Sequence, residues 1–359
     1  MTRRRRPIRA LAAALALGTT LAVVTGCSDE GDPVSFDTPK SETSAGRQAV
    51  QQQHKPKPGT GTGTGAGAKA PETVFPTGPK AEFTTANTVE DGTKIGVTEL
   101  RGEKSGFTGK VWVWAPKQYF DPKYANSGFP VLIALPGGLG YPTNYWMGTD
   151  LKLQSSIARW SEEGKSLPFI VVMPVLNPND KAYYDGSDIP GEPRMGTWLT
   201  EDVPDFVRAN FRTFRSRDGW AFMGSSSGGF VGLKAVLQKP DRFKAVIASG
   251  PDLVPDSPLW KGHEKERQAN NPERLAKALG AKPDTPANRV YLAFQMGTKE
   301  TWMAPRLNAF IKTYTKGPVK SRLQIIPDGS HNAKSYVRGM DMGSIAWISE
   351  QLQAPIPSP

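Results

Sequence analysis

Of 359 residues, one is cysteine (Cys27) and three are histidine. A single thiol cannot form an internal disulfide. If Cys27 is consumed by modification no free thiol remains, which excludes disulfide stapling and thiol catalysis. Three histidines without a free cysteine leave too few ligands for zinc, so no metal and no cofactor is expected. The apolar run Leu11–Val24 is too short for a membrane-spanning helix. Acidic residues number 34 against 45 basic ones. Five charges of the formal +11 sit on Arg3, Arg4, Arg5, Arg6 and Arg9, residues 28–80 balance six acids against six bases, and six charges remain on 81–359. No clustered Arg/Lys stripe accompanies that excess, so a nucleic-acid partner is not expected.

The chain does carry a leader. Arginines, the apolar run and Val24-Thr25-Gly26-Cys27 form a secretory signal over residues 1–26, with small residues just before the cysteine. This pattern resembles a bacterial lipoprotein signal, which implies that Cys27 is lipidated and that the protein is anchored to the cell membrane on its extracytoplasmic face. Residues 27–80 are rich in Gly, Pro, Thr, Lys and Gln, with Gly59–Gly65 alternating Gly and Thr. They bury too little apolar surface to order themselves and are expected to be a disordered tether spanning roughly 40 Å. His54 falls within it.

Residues 81–355 read as one domain. Val111–Trp114 alternates as an early antiparallel strand. Val131–Leu135 is a continuous apolar run, as a strand buried on both faces is, and Phe169–Met173, Ala245–Ala248, Val290–Phe294 and Leu323–Ile326, interrupted only by Gln324, read the same way. Helical periodicity covers Leu151–Trp160, Thr200–Phe211, Pro272–Leu279, Met303–Tyr314 and Tyr336–Leu352. The alternation predicts an α/β class fold: a doubly wound, mostly parallel sheet with helices on both faces and the site at the strands' carboxyl ends.

Trp220–Gly232 contains Gly224-x-Ser226-x-Gly228 between an apolar run and a helix-like one. A strand that turns sharply into a helix at a serine exposes its hydroxyl above the sheet, and the glycines admit the close passage. Serine needs a base and an orienting acid. His331, after the strand ending at Pro327, is the candidate base; His263 lies in a charged stretch. Glu300, after Val290–Met296, is the candidate acid, with Asp252 and Asp256 as alternatives, whereas Asp328 reads as a turn residue. Oxyanion donors are expected from the Ser227 N–H and from Gly138 or Leu139 in Leu135–Gly140. Asn177, Asn179, Asp180, Asp185 and Asp188 match no calcium-loop spacing. Tyr141, Tyr145, Trp146, Tyr183, Tyr184 and Trp198 are candidates for a substrate rim or core.

Thr197–Val207 leading into Gly224–Gly228 resembles the Putative esterase family, which includes the antigen 85 mycolyltransferases and esterase-D-type enzymes; the resemblance runs over most of 105–352. It implies an α/β-hydrolase fold, with Ser226 as nucleophile, Glu300 as acid and His331 as base. Pro136-Gly137-Gly138 stands where the family often has Asp-Gly or His-Gly-Gly, and Ser227 where the mycolyltransferases favour Met. The expected activity is hydrolysis of a small ester or acyl-sugar through an acyl-enzyme. Transfer of the acyl group to a sugar or envelope alcohol, and a non-enzymatic binding lipoprotein, are the alternatives.

Overall fold

The computed structural model describes residues 31–37 and 72–358. Its strands are β1 (Pro33–Val34), β2 (Thr73–Val74), β3 (Phe83–Thr88), β4 (Lys94–Arg101), β5 (Thr108–Trp114), β6 (Val131–Leu135), β7 (Ile170–Pro174), β8 (Thr213–Phe214), β9 (Trp220–Ser225), β10 (Ala245–Ser249), β11 (Val290–Gly297) and β12 (Val319–Ile326). Ten of them form one sheet in the order β1-β3-β4-β5-β7-β6-β9-β10-β11-β12. In that sheet β7, β6, β9, β10, β11 and β12 run parallel, and β5 joins them antiparallel through β7. The central strands β6, β7, β9 and β10 are buried at every residue, because helices cover both faces. The chain has an α/β-hydrolase fold. No helix among the described residues is long and apolar enough to cross a membrane.

Three expectations need correction. Tyr336–Leu352 is not one helix: Ala333–Gly339 and Ile345–Ser349 flank a π-helical turn at Met340–Ser344, where Gly343 has φ 138°, a value helical residues do not adopt. Likewise, a π-turn at Trp198–Asp202 precedes the helix Val203–Asn210. The expected tether is also structured at both described ends. Pro33–Val34 pairs with Thr84–Phe83, and the Thr85 N–H donates to the Asp32 carbonyl at 2.8 Å. Phe36 is 7% exposed and packs its ring against Phe83 and Phe211 at 5.0 and 5.2 Å. Thr73–Val74 pairs with β8. Burying one aromatic ring and closing two short ladders offsets the ordering cost that composition alone suggested these residues could not meet. Cys27, His54 and the Gly-Thr run lie outside the described residues.

Candidate active site

β9 ends at Ser225, and the helix Ser227–Gln238 begins at once, leaving Ser226 at φ 53°, ψ −122°. An L-residue is rarely found there, and of order 1–3 kcal/mol of strain is held by the surroundings. The surroundings are tight: a Cβ on Gly224 would lie 2.4 Å from Gly228 C, and one on Gly228 2.4 Å from Pro136 O. The Ser226 N–H donates to the Ser249 carbonyl at 2.8 Å, which fixes the turn against β10. The hydroxyl makes no hydrogen bond to a described residue.

Glu300 follows β11 and His331 follows β12. His331 Nδ1 lies 2.7 Å from Glu300 Oε1. Glu300 is 1% exposed, while the His331 side chain is 36% exposed. Burial alone would raise the Glu300 carboxyl; bonds from His331, from Tyr336 and from the Gly297 N–H outweigh it and hold the group below its ordinary range. An ionised Glu300 makes Nδ1 the donor and leaves Nε2 with a lone pair able to take a proton. Asp252 and Asp256 make no bond to the imidazole; Asp328 sits in a turn at φ 53°, and His263 precedes the helix Glu264–Ala269. Ser226 and His331 line one cavity of about 390 Å³ together with Gly137, Gly138, Tyr145 and Tyr336. The imidazole–carboxylate link is therefore closed, and the serine–imidazole link is open, as such links often are before substrate tightens the site.

Two tyrosines, one unmarked and one named only as a rim or core candidate, hold this geometry. Tyr336 Oη donates to Glu300 Oε1 at 2.6 Å and lies 2.8 Å from His331 Nδ1. Its phenol is raised, first by burial and then by the carboxylate. Tyr145 Oη accepts the Gly137 N–H at 2.7 Å and bonds Ser225 Oγ. Neither role has a local sequence signal, since the bonds from Tyr336 to Glu300 and from Tyr145 to Ser225 span 36 and 80 residues. Asn144 adds to this, donating to the carbonyls of Ala134 at 2.8 Å and Pro174 at 2.9 Å, which fixes the ends of β6 and β7.

The loop after β6 is pinned to the elbow. Ser227 Oγ donates to the Gly138 carbonyl at 2.7 Å, and Asn177 Nδ2 to the Leu139 carbonyl at 2.5 Å. Gly138 adopts φ 67°, a turn that glycine makes without strain. Gly137's N–H is taken by Tyr145; those of Ser227, Gly138 and Leu139 donate to no described residue and stay available for an oxyanion. Asp188, from the weighed calcium set, accepts from the Thr197 N–H and Oγ1. Among the described residues no group of three or more His, Cys, Asp or Glu is placed to hold a metal ion.

Residues 106–338 match the family model described as Putative esterase. No curated protein matches the sequence. Among solved structures, a ferulic acid esterase superimposes with TM-score 0.60 at 17% identity, over 72% of this chain and 98% of its own. An S-formylglutathione hydrolase from Agrobacterium tumefaciens gives 0.55 at 19% identity, over 73% and 96%. The fluorophosphonate-binding serine hydrolase F of Staphylococcus aureus gives 0.54 at 15%, over 72% and 98%.

Proposed function

The chain belongs to the Putative esterase family and is an esterase, and from that premise we propose that it is a serine carboxylic-ester hydrolase working on the extracytoplasmic face of the membrane, anchored through lipid at Cys27. Ser226 Oγ attacks the ester carbonyl while His331 Nε2 takes its proton. The oxyanion is met by the Ser227 N–H and by that of Gly138 or Leu139. The proton passes to the departing alcohol, and water then attacks the acyl-enzyme, returning a proton through His331 to Ser226. Glu300 holds the imidazole tautomer and stabilises the imidazolium without itself taking the proton.

The observation that carries the reading is the 2.7 Å His331–Glu300 bond beside a strained serine in a shared cavity. Hydrolysis is favoured over transfer to an acceptor alcohol because His331 is one-third exposed, so water reaches the base that must activate it. Purified protein is expected to hydrolyse short p-nitrophenyl esters, and Ser226→Ala to lose that activity; retained hydrolysis by the variant refutes the assignment. Intact-mass analysis of protein extracted from membranes tests the lipid on Cys27 separately.

A further inference from the structure

Two cavities meet at Ser226. The one of about 390 Å³ holds His331. The other, about 130 Å³, lies against Ser226 and Ser227 and contains no part of His331; its walls are Leu176, Phe230 and Val231 with Asp185, Asp252 and Asp256. Their chemistry can be told apart. The imidazolium must hand its proton to the departing alcohol oxygen, so the alcohol belongs on the His331 side. The acyl chain is then left with the smaller cavity, which is close in size to one that accepts a benzene ring and so holds about six heavy atoms.

The polarity of that cavity is one-sided. Asp185, 6% exposed, accepts the Trp260 Nε1–H at 2.6 Å and the Ser257 N–H at 3.2 Å on Oδ2, while its Oδ1 has no hydrogen-bond partner among the described residues. Asp252 and Asp256 form no ion pair with a described residue, and no Lys or Arg lines the walls. Behind them Lys234 is fully buried, with its donors committed to the carbonyls of Asp185 at 2.6 Å and Gly186 at 2.7 Å and to the Ser187 hydroxyl. Asp256 is pushed up to about 6, first by burial and then by the charges of Asp185 and Asp252, and Asp252 is raised by burial. Carboxylates gathered beside a nucleophile without a lining cation are complemented by a positively charged ligand group.

Resting on the serine-esterase reading above, we propose that the smaller cavity is the acyl pocket and that the preferred acyl group is a short aminoacyl group, its ammonium set among Asp185, Asp252 and Asp256. Ser226 Oγ forms the aminoacyl ester as the carbonyl–alcohol bond breaks and the alcohol leaves with the proton taken by His331; water then releases a free amino acid and restores the serine. The test compares alanyl and isobutyryl esters of 4-methylumbelliferone, which differ by ammonium against methyl, with spontaneous hydrolysis subtracted using Ser226→Ala. The alanyl ester is expected to show kcat/KM higher by about tenfold or more, and an octanoyl ester to be the poorest of the three. The alanyl-to-isobutyryl ratio is expected to fall towards one in Asp252→Asn/Asp256→Asn. If that pair fails to fold, Asp256→Asn alone, at the exposed rim, is read in the same way. An isobutyryl ester cleaved as fast as the alanyl one, or a ratio unmoved by the substitutions, overturns the pocket assignment alone. Cleavage of neither ester overturns the esterase reading and the pocket with it.

Discussion

Replacing Gly250 with alanine would place a methyl group 2.1 Å from Tyr336 Oη, 2.9 Å from His331 Nδ1 and 3.0 Å from Glu300 Oε1. Gly250 has φ 53°, so the substitution also costs about 1 kcal/mol in the backbone. To reach ordinary contact, the phenol oxygen must retreat by more than about 1 Å, which breaks its 2.6 Å bond to Glu300. A hydrogen bond to a charged group contributes about 1.5–3 kcal/mol; if most of it acts on the imidazolium in the transition state, kcat falls about 10- to 100-fold. Steady-state kinetics on a short ester would measure this, with thermal unfolding as the control. A loss of about 1–3 kcal/mol leaves a domain of this size folded at 25 °C. Tyr336→Phe lacks the same bond, so the double variant Gly250→Ala/Tyr336→Phe is expected to lose little beyond what Gly250→Ala already loses. Full activity in Gly250→Ala, or losses from the two substitutions that simply multiply in the double variant, would refute the reasoning that these three side chains act as one unit.

Other consequences are separable. Tyr145→Phe removes the acceptor of the Gly137 N–H and the bond to Ser225, so the oxyanion loop loses one of its two ties to the elbow and keeps only the Ser227–Gly138 bond; kcat should fall about tenfold with KM little changed, and an altered KM alone would count against that role. Phe36→Ala deletes a ring buried against Phe83 and Phe211 and should cost about 3 kcal/mol in urea unfolding; an unchanged midpoint would mean that residues 31–37 do not dock in solution. Glu201 is lowered to about 2, chiefly by its bond from Lys239 and further by Lys104 and Arg242. A carboxyl depressed in the folded state stabilises above its unfolded value near 4.3 and loses that contribution as pH falls towards 2. With a quarter of the side chain exposed the contribution is about 1 kcal/mol, so Glu201→Gln should destabilise at pH 7 and match the parent near pH 2.

The parallel strands were legible because burial on both faces leaves an uninterrupted apolar run, as in Val131–Leu135, and the elbow because its glycines answer a local steric demand. Ser226, Glu300 and His331 each follow a strand, so chain order and topology together place them at one sheet edge. β3 and β4 carry no such signal: Phe83–Thr88 and Lys94–Arg101 are half-buried strands towards one end of the sheet, and their Thr, Lys and Glu interrupt any continuous apolar run. Pro33–Phe36 was hidden by its polar surroundings, since one buried ring and a two-residue ladder do not change the average of a long low-complexity stretch. Tyr336 reads as a helix residue and Tyr145 as rim or core packing, because a hydrogen bond between residues 36 or 80 positions apart leaves no periodic trace. The break at Gly343 likewise depends on a backbone angle that glycine permits but does not announce.

The central claim is that the Ser226 hydroxyl is made nucleophilic by an imidazole held on Glu300. Treating the intact protein with a fluorophosphonate probe and mapping the adduct by peptide mass spectrometry tests it most directly. Rapid, stoichiometric phosphonylation on Ser226 is predicted, slowed by at least about 100-fold in His331→Gln. Labelling at another serine, or at an undiminished rate without the imidazole, would contradict it.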